Sequence, residues 1–263
     1  MEKDLPVTPQ LKENPAQLRQ LVEHAISLGE AHSSLVEELK GKPESSIRLV
    51  EATEPWCLLY ERTFFEHLIY VSVQVPALIA TVAEGLAAAD PVQSMLDNME
   101  AEPPPEVKTD PELRQQLFSS LGGFLSLGLN VRAFEIYGRP INSLVAAGKS
   151  GDDSAWFDAI RVDPTVMSLP AFAERHARAA ILLDEAFKNS LRLALKGPTK
   201  RPMKQIGRVR VALWILRDLG ELPLSARELV RLFIDDLGYY APGEDPAKAL
   251  SKHMREVMKM STT

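Results

Sequence analysis

Apolar residues recur at intervals of three and four along most of this chain, the spacing that lines one face of a helix at 100° per residue. The clearest run is Leu18, Leu21, Val22, Ala25, Leu28, Leu35 and Leu39, which predicts a first long helix from about Pro15 to Leu39, closed by Gly41-Lys42-Pro43. Trp56 to Ala89 reads as a strongly apolar helix or helix pair, with Pro76 as kink or junction because proline removes a backbone donor and clashes with the preceding turn. Val71, Val73 and Val75 alternate with Ser72 and Gln74, a period of two that competes for a short strand. Helical spacing on both sides, in Phe64, Phe65 and Leu68 and again in Leu78, Ile79 and Val82, favours helix. Further helices are predicted at Pro91–Glu100, Pro111–Leu127, Pro140–Ala147, Ser154–Arg161, about Pro170 to Lys196, and Val209–Leu219. Two more follow, one after Ser225 and one after Asp245.

Punctuation supports this reading. Four Asp-Pro pairs, at 90–91, 110–111, 163–164 and 245–246, each place a carboxylate that accepts backbone N–H bonds before a proline already holding helical φ. Ser225 stands three residues before Glu228, the spacing of a capping box. Pro103-Pro104-Pro105 marks a stiff junction. The expected fold is all-α. It has an acidic helical part over residues 1–100, a proline-rich junction over 101–110, a helical middle part over 111–196 and a tri-helical, helix-turn-helix-like module over 197–263.

Candidate chemistry changes this picture little. Gly148-Lys149-Ser150 resembles the end of a phosphate-binding loop, but position 143 is serine where that loop needs glycine, so a turn is expected. His24, His32, His67, His176 and His253 show no zinc-ligand spacing. Glu61, Glu66 and His67 lack the Glu-x-x-His pattern of bundle metal sites and are expected to form a surface-facing polar edge. Cys57, the single cysteine, excludes an internal disulfide and is expected in the core beside Trp56 and Leu58. No Gly-x-Ser-x-Gly elbow is present. The expectation is therefore a non-enzymatic protein without metal or cofactor.

Composition, at 45% hydrophobic and 25% charged over 263 residues, is that of an ordinary globular protein. The N-terminus shows no secretory pattern, and a reducing, cytoplasmic setting is expected. Leu68 to Ala83 carries no charge and approaches the length of a membrane span. Gln74, Pro76, Glu84 and the absence of flanking Lys/Arg favour a core helix instead.

Charge becomes informative once divided. Residues 171–263 hold 17 basic and 11 acidic side chains, a net +6, whereas residues 1–170 hold 13 and 25, a net −12. Within the basic part, Lys196 to Arg210 contains no acid, and Lys200, Arg201, Lys204 and Arg208 are read as an arm along a phosphate backbone. Lys248, Lys252, Arg255 and Lys259 fall within a narrow arc of the last helix, opposite Leu250, Met254 and Val257, with Ser251 near that arc. These nine residues form the candidate nucleic-acid site, in a regulator or accessory factor. The alternative is a protein-interaction or assembly protein whose basic face docks onto an acidic partner or onto another copy of the chain.

Overall fold

The computed structural model describes residues 10–40, 56–74, 111–200, 206–241 and 244–260. Within them the α-helices are α1 (Pro15–Lys40), α2 (Phe64–Gln74), α3 (Pro111–Tyr137), α4 (Ile141–Lys149), α5 (Asp153–Val162), α6 (Pro170–Ile181), α7 (Glu185–Ala194), α8 (Gly207–Asp218), α9 (Ala226–Val230) and α10 (Pro246–Lys259). Short 3-10 turns lie at Leu11–Glu13, Trp56–Glu61 and Pro164–Ser168, and α9 runs on as a π turn over Arg231–Asp236. No strand occurs among the described residues, so the protein is all-α. Residues 71–74, where the valine alternation begins, are helical. The Pro76 kink, the helix at 91–100, the first two Asp-Pro caps and the 101–110 junction lie outside the described residues.

Two helices form the middle of the molecule. Residues 122–131 of α3 are buried without interruption, and on α8 so are Val209 and the run from Val211 to Leu216. A helix apolar on all sides is stable only when other elements surround it. Around α8 stand α1, α2, α3 and α10, and α1 lies along α3. The resulting core is continuous from Leu11 to Val257. Glycines set the closeness of the α1–α3 contact: a Cβ on Gly29 would sit 2.5 Å from Val131 Cγ1, and one on Gly128 would sit 2.3 Å from His32 Cβ. Gly123 also lies close to α2, where a Cβ would sit 3.2 Å from Val71 Cγ2.

Capping fixes where elements begin. Thr63 Oγ1 accepts the Glu66 N–H at 3.2 Å while Glu66 Oε2 accepts the Thr63 N–H at 2.9 Å, a capping box at the start of α2. The Asp218 carboxylate, from the end of α8, also accepts the Phe65 N–H at 3.0 Å, and burial raises its pKa to about 6. Ser225 and Glu228 form the predicted box on α9. Asp152 caps α5 after Gly151, whose φ of +101° makes the turn expected at Gly148–Ser150. The first described turn is held by a distant carboxylate: Leu11 and Lys12 N–H donate to Glu221 Oε1 and Oε2, each at 2.8 Å.

Two expectations need correction. The long helix from Pro170 to Lys196 is two helices, because the chain turns at Leu182–Leu183, Leu183 adopts φ +54°, and Asp184 caps α7 by accepting the Phe187 N–H at 2.9 Å. The polar edge at Glu61, Glu66 and His67 does not exist as such. Glu61 and Glu66 are exposed, but His67 is fully buried, since it shares the inward face of α2 with Phe64, Leu68 and Val71.

The His67 ring is wired into α3. Asn130 Nδ2 approaches Nδ1 at 3.0 Å and Asn130 Oδ1 accepts the Ile141 N–H at 2.7 Å. An amide nitrogen donates only, so Nδ1 is the acceptor and Nε2 carries the hydrogen. That hydrogen is donated to Ser126 Oγ at 2.8 Å, and Ser126 passes its own on to the Gly123 carbonyl. Burial lowers the His67 pKa to about 4, consistent with this neutral ring. A second buried knot joins Trp56 Nε1, at 2.8 Å, and Tyr60 O–H, at 2.6 Å, to Asp163 Oδ2, while Thr165 donates N–H and O–H to Oδ1. Cys57 is buried in the core, as expected, and Trp56 is buried with it, whereas Leu58 turns outward.

Candidate nucleic-acid interface

Helix α10 is built to show one face outward. Asp245 starts it by accepting the Lys248 N–H at 3.0 Å, and Pro246 occupies the first turn without losing a hydrogen bond. Leu250, Met254 and Val257 are buried, and the helix packs on α8 and α9. Its far end is held by Arg217, which donates to the Met260 carbonyl and stacks over the Trp214 ring at 4.3 Å.

Opposite the buried stripe, Lys248, Lys252, Arg255 and Lys259 are all exposed. Helical geometry puts them within an arc of about 60° and along about 16 Å of axis. None of the four forms an ion pair with a described residue. Ser251 is half-buried at one edge of the arc, and exposed Glu256 lies at the other. His253, on the inner flank, stands 3.7 Å from Glu256, beyond hydrogen-bond reach, and burial lowers its pKa.

Of the four candidates read as an arm, Arg208 and Lys200 are engaged elsewhere. Arg208 makes a forked contact with Glu23 of α1, at 2.9, 3.1 and 3.0 Å, and its hydrogen bonds hold the Glu23 pKa below the usual carboxylate range. Lys200 places its ammonium 5.2 Å from the centre of the Tyr137 ring. Arg201 and Lys204 lie outside the described residues. Arg210, from the same basic stretch, is half-buried and donates to the Phe134 carbonyl at 3.0 Å, so it closes the end of α3 and does not face outward. Its guanidinium would lie 3.1 Å from a Cβ on Gly138, whose φ is +75°.

No cluster of His, Cys, Asp and Glu able to hold a metal occurs among the described residues, and no described helix is long and apolar enough to cross a membrane. Comparison of the chain with protein families, curated proteins and solved structures returns no match.

Proposed function

We propose that this chain is a non-enzymatic, cytoplasmic regulator or accessory factor that binds nucleic acid through the outer face of α10. One observation carries the reading: four cations on a single exposed face, at spacings of 4, 3 and 4 residues, none of them paired to an acid among the described residues. On other helices several cations are already committed, as with Arg208 to Glu23 and Arg175 to Asp153 at 2.5 Å, and none of those helices is described with a row of four unpaired cations. A row of unpaired cations at one-turn intervals favours a partner with regularly spaced negative charge, and a phosphate backbone supplies it. Arg255 is the one side chain among the four with the forked donors best suited to reading a base edge, and Asn and Gln are absent from α10, so binding is expected to be largely insensitive to sequence.

The test uses the full chain and duplex DNA in a salt series. If all four cations neutralise phosphates, log affinity falls with log salt at a slope of roughly −3.6, and each Lys→Ala change lowers that slope by about one. Lys248→Glu with Lys252→Glu should abolish binding. Absence of salt-dependent binding by the unaltered chain sinks the proposal.

A further inference from the structure

Among the described residues, the α6–α7 hairpin carries the largest concentration of exposed apolar side chains. At its tip Ile181, Leu182 and Leu183 are 81%, 67% and 72% exposed, three in succession. Isolated surface leucines need no explanation, but a contiguous apolar knuckle marks a contact surface. The outward face of α6 continues the patch. Phe172 and Ala179 point inward, leaving Ala173, Ala177 and Ala180 exposed in line with Ile181. Small residues at this spacing allow another helix to approach to the short end of the usual 8–10 Å range.

Charge on this face discriminates among possible occupants. Glu174 and Arg178 are both exposed, one turn apart, and neither is in an ion pair with a described residue. With Glu174 beside Arg178 and Glu185 paired to Lys188 at 2.8 Å, these residues offer an anionic lipid surface no net positive charge. A second α6 laid antiparallel across a two-fold axis near position 176 is matched in charge. In that arrangement residue 174 of each copy faces residue 178 of the other, so the patch is complementary to itself, as an isologous interface requires. The same operation carries each Ile181–Leu183 knuckle over the exposed Pro170 end of the opposite helix.

We propose that the chain forms a two-fold symmetric dimer through α6, closed by reciprocal Glu174–Arg178 pairs and capped by the Ile181–Leu183 knuckles. The surface is separate from α10, so the dimer stands or falls independently of nucleic-acid binding.

Sedimentation equilibrium of the full chain tests it. The unaltered protein should dimerise, and Glu174→Arg or Arg178→Glu alone, which place like charges opposite each other twice, should each weaken association by at least about tenfold. Mixing the two single variants should restore it, because only the heterodimer pairs opposite charges at both contacts. Leu182→Ser should weaken association while leaving the thermal unfolding of the dissociated chain unchanged, since the side chain is exposed. A chain that stays monomeric, a dimer indifferent to these changes, or a mixture of the two charge variants that fails to associate would each overturn the proposal.

Discussion

Single side chains decide how this fold responds to acid. His32 and His67 are buried with pKa values lowered to about 4, so unfolding between pH 4 and 6.5 takes up protons that the native rings refuse. Their stabilisation is complete above pH 6.5 and lost as pH falls toward 4, about 3 kcal/mol for each ring. Asp218 works in the opposite sense. Its pKa, raised to about 6 by burial, makes the ionised form a cost that grows as pH climbs from about 4 to 6. Two histidines outweigh one aspartate, so the urea midpoint should fall as pH drops from 6.5 to 4. Asp218→Asn, which keeps an acceptor for the Phe65 N–H, should make that fall steeper; a midpoint constant over this range contradicts the assignment. The place of His67 was legible, since Phe64, His67, Leu68 and Val71 share one helical face. Proximity to Glu61 and Glu66 in sequence obscured it, and nothing local announced Ser126 or Asn130 as its partners.

At the scale of elements, helix starts were the most readable feature because capping is local chemistry. Asp245 and the Ser225–Glu228 box act as their spacing implies, and a second box at Thr63–Glu66 obeys the same rule. Helix interruptions were less readable. Residues 170–196 keep a helical apolar pattern through the break, and a leucine at φ +54° is not a residue that signals a turn. The contact between α1 and α3 was unreadable in a different way, because Gly29 and Gly128 matter only through residues about a hundred positions away. Gly128→Ala should cost about 1–3 kcal/mol, since the added methyl overlaps the His32 side chain and the helices have to separate. Thermal unfolding checks this, and a variant as stable as the parent would show that α1 yields at no cost.

For the whole molecule, the all-α class followed from periodicity, whereas the way its parts share one core did not. The apolar pattern of α8 reads from sequence as one member of a C-terminal trio, yet its buried run needs α1, α2 and α3 as well as α10 around it. A fragment of residues 197–263 is therefore expected to show no cooperative unfolding transition by circular dichroism, and a sharp one would contradict that dependence. The candidate interface was readable in part. Residues 248, 252, 255 and 259 needed only the period of a helix, but the capture of Arg208 by Glu23 joins positions 185 residues apart. The clamp of Glu221 on the Leu11 and Lys12 amides spans still more chain, 210 and 209 residues. At about 5–20 residues per second of synthesis, the first described turn waits roughly 10–40 s for its carboxylate to be made. During that interval the apolar stripe of α1 has no α8 to cover it. Until then α1 has only α3 to pack on, and the side it turns to α8 stays open.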